Sequence, residues 1–115
     1  MKKVYHLAHC STCQRILAEI DWQNQRQDIR TEKISKEQIE QMASLAGSYQ
    51  ALFSRRAMKY KSMGLKDQSL SESDYKRLIL EEDTFLKRPI FIVNDCIFIG
   101  NSKKTIQALI SALNE

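Results

Sequence analysis

Ten residues near the end of this chain restrict its fold more than any others: Ile90-Phe91-Ile92-Val93, then Asn94-Asp95, then Cys96-Ile97-Phe98-Ile99. Two apolar runs separated by a two-residue turn read as a β-hairpin. Asn-Asp is a weaker type I′ signal than Asn-Gly, but both residues tolerate positive φ. Both strands are almost continuously apolar, so the hairpin is expected to be covered on both faces, with Cys96 as a small buried hydrophobe. The single proline, Pro89, opens the first strand, where its missing N–H falls outside the ladder. After Gly100, Ser102 is placed to cap a last helix whose Ile106, Leu109, Ile110 and Leu113 fall on one face.

The start of the chain reads β-α-β. Val4 to Leu7 is a short β-prone stretch, and Cys13, Ile16, Leu17 and Ile20 recur at the helical period from about Ser11. Asp28 to Ile34 alternates Ile29, Thr31 and Lys33 with charged neighbours, which predicts a second strand. The middle is helical. Ser35 and Gln38 have capping-box spacing, Ile39, Met42, Ala43 and Ala46 form a stripe, and Gly47 suits a left-handed C-cap. A further helix is expected from about Tyr49 to Met63, stopped by Gly64, and Ser71 opens another with Tyr75, Leu78 and Ile79 inward. The pattern predicts a single domain over residues 1–115, with 35–84 as a helical insertion between the β-α-β and β-β-α parts.

Composition narrows the function classes. Of the 115 residues, 43% are hydrophobic and 28% charged, an ordinary globular mixture. No apolar run approaches the ~20 residues that span a bilayer. His6 and His9 interrupt the stretch after Met1-Lys2-Lys3, so neither a signal peptide nor membrane association is expected, and the cytoplasm is the expected location. A net charge of +4 is too mild to indicate direct nucleic-acid binding. Three cysteines are too few, and odd in number, for a disulfide scaffold.

Two of those cysteines stand as Cys10-Ser11-Thr12-Cys13, at the junction of the first strand and helix. A cysteine reacts as its thiolate, and a thiol of pKa near 8.5 is only ~3% ionised at pH 7. Lowering that value to about 6 makes it ~90% thiolate and requires roughly 3 kcal/mol of differential stabilisation. A helix N-terminus supplies part of this, because its unpaired amides favour an anion. Cys10 is placed to use the amides of Ser11, Thr12 and Cys13, and Cys13 lies one turn on, within reach of a disulfide. Half a zinc site completed by His6, His9 or Cys96 is the competing reading, but a zinc ribbon repeats its CxxC and this chain does not, so no metal is expected.

The run from Val4 to Cys13, with Arg56-Ala57-Met58-Lys59-Tyr60 and Leu86-Lys87-Arg88-Pro89-Ile90 downstream, resembles the arsenate reductase (ArsC)/Spx family. The resemblance covers nearly the whole chain. It implies a thioredoxin-like (glutaredoxin-like) α/β fold: a mixed four-stranded sheet flanked by helices, with a helical insertion. It places Cys10 at the family's redox cysteine, His6 at the histidine four residues before it, and Pro89 at the cis-proline of thioredoxin folds. Arg56 and Arg88 match two family arginines, and Cys13 resembles the CxxC of the Spx branch. The chain also departs from the pattern. Leu7-Ala8 stand where arsenate reductases carry Asn-Pro, and Gln14 where a basic residue is usual. Asn101, Ser102, Lys103 and Lys104 stand where a third arginine falls, and a lysine is a point charge that does not reproduce a bidentate clamp.

Two functions follow as expectations. In the first, the chain is a thiol–disulfide oxidoreductase resembling glutaredoxin- or thioredoxin-coupled arsenate reductases. Cys10 attacks a small thiol-derived or oxyanion substrate held by Ser11, Thr12, Arg56, Arg88 and Pro89. His6 favours the thiolate and Cys13 resolves the intermediate, with no bound cofactor and with glutathione, thioredoxin or glutaredoxin as reductant. In the second, the chain is a Spx-like regulator that contacts RNA polymerase and uses the CxxC as a redox switch. His6 also suits a plain core role with one backbone hydrogen bond.

Overall fold

A computed structural model describes residues 1–115. The chain divides into two compact units, Met1–Lys33 with Arg88–Glu115, and Ile34–Lys87.

The first unit holds all four strands. β1 (Lys2–His6) leads to α1 (Ser11–Glu19) and β2 (Gln25–Asp28), and β3 (Ile90–Val93), β4 (Cys96–Ile99) and a closing helix of residues 103–113 complete it. The sheet order is β2-β1-β3-β4, with β1 parallel to β2 and antiparallel to β3, and β3 antiparallel to β4. Register pairs Val4 with Phe91 and Tyr5 with Ile90, so period-2 alternation divides these side chains between two faces. On one face Val4, Phe91 and Val93 pack with Ile16 and Leu17 of α1, Trp22 and Leu109. The Trp22 ring meets Phe91 edge-on at 5.1 Å, and its indole N–H donates to the Gln25 carbonyl. Tyr5, Ile90 and Ile92 are buried on the opposite face.

Local chemistry sets the helix ends as expected. Ser102 Oγ accepts from the Thr105 amide at the start of the last helix, and Asn94 takes φ 56° in the hairpin turn, where its amide donates to the Met1 carbonyl. Three expectations for this unit need correction. The second strand is Gln25–Asp28, not 28–34: the chain pairs with β1 until His6 meets Asp28, then turns as the Glu32 amide bonds back to Asp28. The hairpin is not covered on both faces along its length, because β3 is wholly buried while β4, at the sheet edge, is half-exposed. Cys96 is accordingly exposed rather than a core residue.

The second unit is helical: α2 (Lys36–Ala46), α3 (Met58–Ser62) and α4 (Glu72–Glu81), joined by short 3₁₀ turns at 50–52, 65–67 and 83–85. Capping boxes at Ser35/Gln38 and Ser71/Asp74 start α2 and α4, and Gly47 ends α2 at φ 96°. The long helix expected from Tyr49 to Met63 is not formed. Phe53 leaves the helical path to bridge Leu86, and the Ser54 and Lys87 amides bond to Phe85 and Leu52 carbonyls at 2.6 and 2.8 Å. Phe53 stacks on Phe85 at 5.1 Å and packs against Tyr75 at 4.9 Å and Tyr60 at 6.0 Å, an aromatic core that a continuous helix would forgo. No helix in the structure is long and apolar enough to cross a membrane.

Candidate active site

The closing helix, labelled α5 (Lys103–Leu113), and α1 both begin at the sheet end where β1 stops. The chain leaves β1 at His6, and the Cys10 amide donates to the Leu7 carbonyl at 3.1 Å, turning Leu7–Cys10 into a tight loop. Cys10 is the N-cap of α1, in extended conformation at φ −85° and ψ 108°. An N-cap side chain accepts from an amide two or three residues on. Here that acceptor is sulfur: the Cys13 amide donates to Cys10 Sγ at 3.4 Å.

The two thiols are driven in opposite directions. Burial alone raises the Cys10 pKa, but the Cys13 amide and thiol, together with the charge and hydrogen bonding of Arg88, outweigh it and bring the value below that of an ordinary cysteine. Burial, followed by the hydrogen bond and charge of Cys10, pushes the Cys13 thiol up to about 12. Cys13 is fully buried and Cys10 is half-buried, and both are free thiols. Together they form an accessible thiolate-prone sulfur over a shielded thiol one helical turn away.

Arg88 and Pro89 lead into β3, and the bond between them is cis. Pro89 is buried, and its carbonyl accepts from the Gly100 amide at 2.9 Å. The Arg88 guanidinium lies close enough to Cys10 to act on it, while its buried Nε has no hydrogen-bond partner. Ser11 is exposed and Thr12 half-buried in the first turn of α1. Lys103 and Lys104 are exposed in the first turn of α5.

His6 is 7% exposed and sits on the α1 side of β1. Its partner went unrecognised in the sequence: Gln14 Nε2 lies 3.2 Å from His6 Nδ1 and 3.1 Å from the Leu7 carbonyl oxygen. The sequence signal was spacing alone, since Gln14 follows Cys10 by one helical turn and so returns over the loop. Burial lowers the His6 pKa, Arg26 adds to this, and Asp28 and the Leu7 backbone oppose it.

Six of the expected site residues therefore gather around Cys10 in the first unit: His6, Ser11, Thr12, Cys13, Arg88 and Pro89. Arg56 belongs to the second unit, where it is exposed ahead of α3 with its amide on Ser54 Oγ at 3.3 Å. His9 is exposed, and no three His, Cys, Asp or Glu side chains cluster in a way that could hold a metal ion. Cys96 pairs with Val93 and through it Lys2, so it stands at the opposite sheet end, about 13 Å along β1 from His6.

A mixed sheet of order β2-β1-β3-β4, a cysteine capping the helix after β1 and a cis-proline entering β3 define a thioredoxin-like protein. The family model of the ArsC family matches residues 5–109, and the chain belongs to that family. Membership supports a thiol-based redox function. The fold is shared with the YffB protein at 19% identity and TM-score 0.82, covering 98% of this chain and 99% of that one. An arsenate reductase from Vibrio cholerae matches at 21% identity and TM-score 0.77, over 94% of each chain. A Staphylococcus aureus protein matches at 24% identity and TM-score 0.74, covering 94% of this chain and 97% of that one. No curated protein matches the chain by sequence.

Proposed function

We propose that the chain is a cytoplasmic thiol–disulfide oxidoreductase in which Cys10 is the nucleophile and Cys13 the resolving thiol. The observation that carries this reading is the opposed pair: a Cys10 sulfur held by an α1 amide and Arg88, above a buried Cys13 one turn away. The Cys10 thiolate attacks one sulfur of a small disulfide, forming a mixed disulfide and releasing the other half as thiolate. Cys13 then loses its proton and attacks Cys10 Sγ, expelling the second thiolate and leaving a Cys10–Cys13 disulfide. Mixed-disulfide formation removes the Cys10 negative charge, one of the influences that hold the Cys13 thiol up at about 12, so the first step readies the second. Glutathione, or the dithiol of a thioredoxin or glutaredoxin, returns two electrons to the protein. Arg88 is the anion-holding arginine in this reading, and Ser11 and Thr12 supply the first-turn amides.

Turnover of a glutathione mixed disulfide, and separately of arsenate, tests the proposal in the wild type and in Cys10→Ser and Cys13→Ser. Expected results are loss of turnover in Cys10→Ser and accumulation of a glutathionylated intermediate in Cys13→Ser. Absence of turnover with every acceptor, together with co-purification of RNA polymerase subunits, overturns the enzyme and favours the regulator.

A further inference from the structure

The Gln14 amide makes two contacts that restrict each other. Its Nε2 lies 3.1 Å from the Leu7 carbonyl, which can only accept, so the amide must turn its NH₂ side that way. The same nitrogen lies 3.2 Å from His6 Nδ1, which must therefore accept as well. An imidazole that accepts at Nδ1 carries its proton at Nε2 and is neutral. Turning the amide over to receive a proton from Nδ1 would set its oxygen against the Leu7 carbonyl oxygen. Protonating His6 thus costs a hydrogen bond whichever way Gln14 points.

We propose that Gln14 is a positioning residue that holds His6 as the neutral Nε2–H imidazole, so that the Cys10 thiolate is favoured by α1 amides and Arg88 and not by an imidazolium. The inference rests on the reading of Cys10 as the nucleophile. The groups around His6 pull in both directions. Asp28, its register partner on β2, and the Leu7 backbone favour the imidazolium, Arg26 opposes it, Gln14 on α1 is neutral, and Cys10 closes the loop. Burial sets the net direction, towards the neutral ring. Arg88 acts on Cys10 through both its charge and a hydrogen bond. A basic residue at position 14 would also donate to both acceptors, so the device needs a donor there rather than a charge.

Long-range ¹H–¹⁵N correlation spectra of the full-length protein read this directly. At pH 7 the His6 ring is expected to give the pattern of a protonated Nε2 and a bare Nδ1. Gln14→Leu should let the two tautomers mix, Gln14→Glu should shift the His6 titration midpoint upward, and Gln14→Lys should retain the wild-type tautomer. An Nδ1–H tautomer in the wild type, or an unchanged ring in Gln14→Leu, overturns the proposal. If Gln14→Leu fails to fold, the wild-type tautomer and the opposite responses of Glu and Lys remain decisive. The spectra need no turnover: a correct tautomer in a protein without activity sinks the proposed function alone, and a wrong tautomer in an active one sinks this inference alone.

Discussion

The Cys13 amide donates to the Cys10 sulfur at 3.4 Å, and the two residues joined by that bond hold their own protons with opposite tenacity. Helical geometry accounts for both facts. An N-cap sulfur stands outside the first turn and receives an otherwise orphaned amide, while a residue three positions on faces the core. Cys13 shares that buried face with Ile16 and Leu17, so the same amphipathic stripe that packs α1 on the sheet also keeps the second thiol dry. One helix thereby makes one sulfur a good nucleophile and the other a good reserve.

Arg88→Gln tests the share of the charge. Removing the guanidinium takes away both its hydrogen bond and its coulombic attraction, leaving Cys13 to oppose burial. The Cys10 pKa should rise, and every unit of rise lowers the thiolate fraction below the pKa about tenfold. Alkylation rates measured from pH 5 to 9 report this as a midpoint displaced upward. An unchanged midpoint would show that Arg88 plays no part in activation.

The capping role separates two substitutions at the same position. Ser is among the best N-cap residues, so Cys10→Ser should keep α1 capped and abolish thiol reactivity at little cost in stability. Cys10→Ala loses the acceptor for the Cys13 amide and should be less stable than Cys10→Ser by about 1 kcal/mol. Urea denaturation of the two variants measures the difference. Equal midpoints would mean that the sulfur contributes nothing as a cap.

In the second unit, Phe53 joins three rings, and its burial is nearly complete at 3% exposure. Phe53→Ala should cost about 3–5 kcal/mol, the range for an aromatic side chain removed from a core. Equilibrium unfolding in urea checks this, and a loss below about 1 kcal/mol would contradict the packing.

Phe53 also marks the limit of what the sequence discloses. The caps at Ser35, Ser71 and Ser102 and the stop at Gly47 were legible because each depends on residues within about four positions. The break at Phe53 depends on Leu86, 33 positions away, and no local propensity encodes it. The β2 strand is similar: Gln25-Arg26-Gln27-Asp28 has no apolar alternation, and only pairing with β1 makes it a strand, with Gln27 buried and its amide bonded to the Glu32 carbonyl. At the site, Cys10, Cys13, Arg88 and Pro89 were legible from spacing and resemblance, whereas the Gln14–His6 contact spans two elements and requires the packed geometry. The exposure of Cys96 follows from edge position, which strand composition does not reveal.

Mild peroxide treatment followed by mass spectrometry uses that exposure. Oxidation should remove one hydrogen from each thiol, the two electrons passing to peroxide, and join Cys10 to Cys13, while Cys96, at the other end of the sheet, remains open to alkylation in the native protein. Cys96→Ser should leave the two-hydrogen loss unchanged. A bond from Cys96 to either of the other cysteines would remove Cys13 from the resolving role.

The last prediction concerns the alkaline limb of stability. The folded Cys13 thiol sits at about 12, above the ordinary cysteine value of 9.0. Below 9 both folded and unfolded chains keep the proton, and this group adds no pH dependence. Between about 9 and about 12 the unfolded chain loses it while the native chain retains it, so the unfolded state binds fewer protons and stability falls as pH rises. Cys10 has the opposite sign: its depressed value favours the native state above the unfolded thiol's pKa, and that contribution is lost as pH falls through the folded value. Urea midpoints compared between the wild type and Cys13→Ala isolate the Cys13 contribution, because lysines and tyrosines titrate in both. The wild type should lose stability more steeply than Cys13→Ala between pH 9 and 11. Parallel curves would place the Cys13 thiol near an ordinary cysteine and remove the contrast on which its reserve role depends.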